Sequence, residues 1–457
     1  MTLTTLLIRI TIAAIILTGL TGLVFKKHKS WLMTFAQSWC GALFLFSGWV
    51  KAVDPLGTAY KLHDYFGEFE SVFSGTAMSF IAPVFPFLDN FGVHFSVATI
   101  VFEILLGVML LIGAKPKFTS WAFLLLILFF TGLTGFTYLT GYVPEGVNFF
   151  EFSKWGKYTP TNMKVTDCGC FGDFIKLEPK TSFLKDVFLL IPAFYFLFRS
   201  QDMHSFFPEK VKNGIIGLTI GGLLLYCFSN YVWDIPHADF RPFKVAADIR
   251  GQRTAELEAQ SNVQITDWVL ENKATKEEII LPNATYMKQF KQYPKTEWTI
   301  TDQIKTEPAI KATKLSEYAI ENSEGYDITE ELLTDQGYSV MLVCHKIYED
   351  GDQFDKSYVE RFTGVTNAFT TEAEKVGWKV YGVAGGVGAN KLEAFRHEAQ
   401  TAYPFYMADN ILLKTIVRSN PGIVLMKDGK ILNKWHYKKL PAFKDVHAEY
   451  KSLLGAK

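Results

Sequence analysis

The sequence predicts a mainly α bundle of about six membrane-crossing helices in its first half, joined to an α/β soluble half. Nearly every long uncharged run falls in residues 1–235, whereas residues 236–457 alternate strand-like and helix-like patterns at ordinary charge density. A third observation bears on chemistry: Cys168-Gly169-Cys170 lies in a loop between two of the apolar runs.

The chain carries 46 basic and 46 acidic side chains, so its formal net charge of zero gives no electrostatic case for nucleic acid. A hydrocarbon core of roughly 30 Å needs about 20 apolar residues. The runs that meet this are about 3–24, 32–53, 93–114, 118–140, 183–200 and 212–233. Residues 77–88 are apolar as well, but Pro83 and Pro86 suit an interfacial or re-entrant segment rather than a spanning helix. The first run is long, holds Arg9 and ends in Lys26-Lys27-His28-Lys29, which reads as a retained span and not a cleaved signal.

The linkers after the first, third and fifth runs are all basic, and the positive-inside rule puts them in the cytoplasm. The acidic loop 54–92, the loop 141–182 and the soluble half then face outward. For a bacterial inner (plasma) membrane that side is the periplasm, where thiols can be oxidised.

Of five cysteines, Cys40 and Cys227 fall inside spans and read as small apolar fillers. Cys168 and Cys170 are different because they are paired and in a loop. A disulfide across Cys-x-Cys closes a small strained ring, and strained accessible disulfides tend to be labile or catalytic. Gly169 lets the backbone bend, Lys180 or Lys185 can supply positive charge, and Asp167 and Asp173 oppose it. Two alternatives stand beside the redox reading: a static brace, and a Cu(I) or Zn site.

Glu103 is midway along the third run, where an unpaired ionised acid is costly, so it is a functional candidate by default. Arg9 is its expected partner, either as a structural clasp between helices or within a path for protons or a quinone. Trp49 and Lys51, at the end of the second run, read as an aromatic and snorkelling anchor.

Ser47-Gly48-Trp49-Val50-Lys51-Ala52-Val53-Asp54-Pro55 and Glu103-Ile104-Leu105-Leu106-Gly107 resemble the DoxX-like membrane family. Cys168-Gly169-Cys170-Phe171-Gly172-Asp173, followed by Lys185-Asp186, is similar to its relative MauE of methylamine utilisation. The resemblance covers about residues 30–200 and implies a four-helix membrane core. It also implies links to quinone-coupled sulfur oxidation and to disulfide formation in a periplasmic dehydrogenase, with a quinone as candidate cofactor.

In the soluble half, residues 262–282 read as a hairpin and 283–315 as an exposed connector. A second hairpin is expected at 316–328, strands at 338–343 and 378–383, helices at 358–376 and 391–403, and a strand–turn–strand at 420–431. That order resembles the thioredoxin-like fold over about 315–450, with Asn420 and Pro421 where the family places its groove and cis-proline. The family's Cys-x-x-Cys is absent: Ile347-Tyr348-Glu349-Asp350-Gly351-Asp352 stands there instead, and Cys344 reads as a buried apolar residue.

The expected organisation is therefore a multi-pass membrane domain at 1–235, a connector at 236–314 and a thioredoxin-like domain at 315–457. The functional expectation is a redox or maturation factor for envelope proteins, with Cys168 and Cys170 catalytic. The alternative is a non-enzymatic scaffold for assembly or export that binds envelope proteins through the soluble domain. A small-solute transporter is a third reading, drawn from Arg9 and Glu103 alone.

Overall fold

The structure, a computed structural model, describes residues 2–165, 169–347 and 354–455. The chain divides into two compact units, Met1–Phe240 and Arg241–Lys457.

The first unit is helical: α1 (Leu3–Gly19, extended by a wider turn to Val24), α2 (Trp31–Val53), α3 (Pro55–Ser74), α4 (Val84–Asn90), α5 (Gly92–Ile112), α6 (Pro116–Thr140), α7 (Pro179–Phe198) and α8 (Glu209–Phe228). Among the described residues, five helices are long and apolar enough to cross a membrane: Leu3–Val24, Gly92–Ile112, Pro116–Thr140, Pro179–Phe198 and Glu209–Trp233. The chain is thus a multi-pass protein whose surroundings include a lipid bilayer. α2, the remaining expected span, has crossing length at 23 residues, but its buried face carries Thr34, Gln37, Ser38, Ser47 and Lys51.

Local chemistry sets the helix ends. The Ser30 side chain accepts from the Met33 amide at the start of α2. Asp54 ends α2 and caps α3, accepting from the Gly57 amide at 3.1 Å with Pro55 in the first turn. The expected loop at 54–92 is therefore corrected: most of it is α3 and α4. α3 was hidden because its polar and apolar residues share one 20-residue helix, burying Pro55, Ala59, Leu62, Tyr65 and Phe66. Phe80, Val84 and Phe87, in the segment expected to be interfacial, are exposed.

The second unit begins with α9 (Ile249–Ser261) and an antiparallel sheet of β1 (Ile265–Asn272), β2 (Glu278–Pro282) and β3 (Trp298–Lys305), in the order β2-β1-β3, with α10 (Asn283–Gln289) between its last two strands. β1 and β2 form the expected hairpin. The expected connector at 283–315 is corrected, since it supplies both α10 and β3. β3 pairs along β1 as a largely exposed strand whose period-two apolar set, Trp298, Ile300 and Ile304, is interrupted by Asp302.

The remainder is α11 (Thr329–Leu333), β4 (Tyr338–Cys344), α12 (Lys356–Arg361), α13 (Asn367–Lys375), β5 (Lys379–Ala384), α14 (Ala389–Glu398), β6 (Phe405–Met407), α15 (Asn410–Ile416), β7 (Gly422–Lys427), β8 (Lys430–His436) and α16 (Phe443–Gly455). The hairpin expected at 316–328 reduces to one bridge, Glu321 with Asp327, around a turn. The five strands run β6-β5-β4-β7-β8, with β4, β5 and β6 parallel and β7 antiparallel to both neighbours. Ser339 to Cys344 of β4 are all buried, as in a sheet covered on both faces. This is a thioredoxin-like α/β unit, and its Asn420–Pro421 bond is cis.

Candidate functional site

The site begins with a close helix crossing. A Cβ on Gly107 would lie 3.0 Å from the Gly41 carbonyl and 3.1 Å from the Leu45 amide, so only a side chain this small lets α2 and α5 approach so closely. That approach brings the Lys51 ammonium 2.7 Å from the Glu103 carboxylate, with Glu103 only 2% exposed. The expected clasp between Arg9 and Glu103 is thereby corrected: Lys51 is the bonded partner, and Arg9 sits on the exposed face of α1. The anchor expected at Trp49 and Lys51 also divides. Trp49 faces outward, while Lys51, two positions on, points inward with its Nζ 4.6 Å from the centre of the Phe130 ring.

A second ion pair lies on α7. Lys185 Nζ is 2.5 Å from Asp186 Oδ1, and the Thr134 hydroxyl of α6 donates to Asp186 Oδ2 at 2.9 Å. Asp186 has no exposed side-chain surface. Lys180, the other candidate cation, is exposed.

Between α6 and α7 the chain turns through Gly169, whose φ of +62° is one that glycine adopts at little cost. Gly172 N–H donates to the Gly169 carbonyl at 3.1 Å, and the Ser47 hydroxyl of α2 donates to the Cys170 carbonyl at 3.0 Å. The turn is also anchored by Phe171, which is buried in the helical core. Cys170 is a partly buried free thiol. Burial pushes this thiol above its ordinary value; Lys185 opposes that most strongly, Asp186 adds to it, and Lys51 opposes it again. Asp173 pairs with Lys176 at 3.6 Å. Asp167 and Cys168, both expected site residues, lie outside the described residues.

These groups share one cavity. About 790 Å³ of atom-free space, mouth included, lies among α2, α3, α5, α6, α7 and the Gly169–Phe171 turn. Lys51, Glu103, Lys185, Asp186, Thr134 and Cys170 supply polar atoms to it together with Ser47, Thr58, Lys61, Tyr65 and Thr99, and Phe44, Phe129, Phe130, Ile127 and Leu133 form much of its apolar wall. Convergent polar groups set in an apolar wall are the kind of lining that small-molecule sites use. One buried and one half-buried cation are matched by two buried anions, so the paired array is neutral. Chemically, it offers a thiol two ammonium groups and two carboxylates out of bulk water.

Residues 29–144 match the family of the methylamine utilisation protein MauE. The MauE-like segment runs from the start of α2 to just past α6, and so contains Ser47, Lys51, Glu103 and Thr134. The Cys-Gly-Cys turn and the Lys185–Asp186 pair lie beyond it. No curated protein matches the chain. Among solved structures, the chain is similar to a candidate protein disulfide isomerase from Bacteroides thetaiotaomicron, at 13% identity and a TM-score of 0.23, over 30% of this chain and 86% of that one.

Thr134 was missed in sequence, and Ser47 and Asp186 entered only as members of the family-like motifs, with no role assigned. Asp186 had a usable signal of its own, being an acid inside the apolar run 183–200, subject to the same cost that singles out Glu103. Thr134 had none, because a hydroxyl in a span usually bonds within its own helix.

In the second unit, the expected groove residues are tied to their surroundings. Asn420 accepts from the His345 amide and the Tyr358 hydroxyl, both at 3.1 Å, and donates to the Lys346 carbonyl at 2.5 Å. The Arg361 guanidinium donates to the Asn420 carbonyl at 2.6 Å and lies over the rings of Tyr358 and Tyr437. Cys344 is fully buried, which pushes its thiol up to about 12. His345 is driven the other way, to about 3, by burial and then by Lys414 and Arg418.

Proposed function

We propose that this membrane protein is a thiol–disulfide redox and maturation factor of the bacterial cell envelope. Cys168 and Cys170 are the exchanging pair and a quinone is the membrane carrier. The supporting observation is the position of Cys170 on the wall of a cavity between helices, among two ion pairs. In the cycle, two thiols become one disulfide, and the two electrons and two protons they release convert the quinone to a quinol. Thiol–disulfide exchange with a client then passes the disulfide on, one cysteine attacking and the other resolving. The reading places the chain in the inner membrane with the thiol turn and the thioredoxin-like unit on the periplasmic side. Arg9 has no chemical role in it, and Asp173 serves the shape of the turn.

The thioredoxin-like unit, lacking a dithiol, would hold clients near Cys168 and Cys170 through the surface around Asn420 and Pro421, raising their effective concentration. The fully buried Cys344 favours a second reading, a scaffold that binds envelope proteins without redox chemistry. One experiment separates the two. The full chain in lipid nanodiscs is supplied with dithiothreitol and a short-chain ubiquinone, and quinol formation is followed. Turnover that disappears in Cys168→Ser supports the redox reading; no turnover in the parent protein leaves the scaffold.

A further inference from the structure

Ionising a thiol inside an apolar wall adds a negative charge to low-dielectric surroundings, and this is costly unless the net charge of the site stays fixed. The cavity contains the groups to keep it fixed. Cys170, Lys185 and Asp186 line one cavity, with the Lys185 ammonium 5.8 Å from the centre of the neighbouring Phe171 ring and bonded to Asp186, and Lys185 is the strongest favourable charge on the thiol. Asp186 is also held by Thr134, so it remains in place whichever partner Lys185 serves. We propose that Asp186 is the internal proton acceptor for Cys170, with the Lys185 ammonium moving from the Asp186 carboxylate to the Cys170 thiolate as the proton passes between them.

One S–H bond breaks at Cys170 and one O–H bond forms on Asp186. Lys185 hands a proton to Asp186 while taking the thiol proton, and remains an ammonium. No electron moves, and the cavity keeps its charge throughout. The remaining ionisable groups around the turn are already engaged. Lys51 of α2 is bonded to Glu103 of α5, Lys61 of α3 is near Asp64, and Asp173 pairs with Lys176. Glu103 stands to Lys51 as Asp186 does to Lys185, but of the two cations Lys185 acts more strongly on the thiol, and Asp186 follows it directly in the chain. The inference rests on the redox reading for its purpose, while the proton shift itself needs no redox partner.

A proton moved within the cavity does not come from bulk water, so the thiolate fraction it creates does not depend on pH. The test uses the full chain in nanodiscs in a Cys168→Ser background, where the pair cannot close on itself. Iodoacetamide is the probe, and labelling is read on the Cys170 peptide by mass spectrometry. A thiol titrating against bulk water loses reactivity about tenfold per pH unit below its pKa. Here the rate should instead level to a floor at low pH. Asp186→Asn should remove the floor, Asp186→Glu should keep it, and Lys185→Met should lower the rate at neutral pH by about tenfold or more. Infrared difference spectra should show a protonated-carboxyl band growing as the S–H band fades.

A uniform tenfold-per-unit fall in the parent protein, or loss of S–H absorption without the carboxyl band, overturns the inference. Should Asp186→Asn fail to fold, the floor and the infrared bands of the parent still decide. A floor without quinol turnover removes the redox reading alone. Turnover without a floor removes this inference alone.

Discussion

The two units each contain a thiol in buried surroundings, and those surroundings differ in what they add to burial. Around Cys344 in the thioredoxin-like unit, burial dominates and only the Tyr358 hydroxyl opposes it, so the thiol stays protonated at any physiological pH. Around Cys170 in the membrane unit, burial is opposed by Lys185 and Lys51, and the acids that neutralise those cations line the same cavity. The unit whose fold is associated with thiol chemistry has packed its cysteine into a β-sheet. The helical unit has gathered charge around its own. Charge placement, more than fold, distinguishes the surroundings of the two thiols.

The largest effect expected on this contrast is an exchange of cysteines. Cys170→Ser should abolish quinol formation in the nanodisc assay, whereas Cys344→Ala should leave it within about twofold, costing stability through the space left in the core. Equal losses in both variants would erase the contrast.

Next in size is the Lys51–Glu103 pair. Lys51→Met leaves a buried carboxylate without its partner and should destabilise the membrane unit by about 3–5 kcal/mol, while Lys51→Met with Glu103→Gln should recover most of that loss. Unfolding in mixed micelles would measure both. If the double variant is no better than the single, the pair is not what makes Glu103 tolerable.

The thioredoxin-like unit has its own pH response. His345 binds a proton near 6.5 when unfolded but only near pH 3 when folded, so in that interval the unfolded chain carries more protons. Stability therefore falls as pH drops through this window. The loss should be about 1–2 kcal/mol by pH 4, since the partly exposed ring does not feel full desolvation. Thermal unfolding of the full chain at several pH values, with His345→Gln as the control lacking this slope, reads it out.

The smallest expected effect comes from Ser47. Ser47→Ala removes the hydroxyl that fixes the Cys170 carbonyl, a bond worth about 1 kcal/mol, and should shift Cys170 alkylation by about fivefold. No change would mean that Phe171 alone holds the turn.

The apolar runs made most of the membrane unit legible in sequence, because a helix that crosses lipid needs about 20 predominantly apolar residues. α3 and β3 were not legible: one mixes polar and apolar faces, and the other pairs through its backbone with few buried side chains. The site was legible only in part. Cys170, Lys185 and Glu103 stood out by type and position, and the structure lines one cavity with all three. The partner of Glu103 did not, since choosing Lys51 over Arg9 needs the rotation of α2 and the close approach at Gly41 and Gly107, which no linear spacing encodes. Asp186 stands beside Lys185 in the sequence, but only its contact with Thr134 gives it a place in the site.

The central claim is that Cys168 and Cys170 cycle between dithiol and disulfide within reach of a lipid-soluble carrier. The most direct measurement is to reduce the full chain in nanodiscs, remove the reductant, add ubiquinone, and count alkylatable thiols on the peptide containing both cysteines alongside quinol formed. Two thiols should be lost per quinol formed and restored by reductant. Thiols that persist in the presence of quinone, or a disulfide that resists reduction, would contradict it.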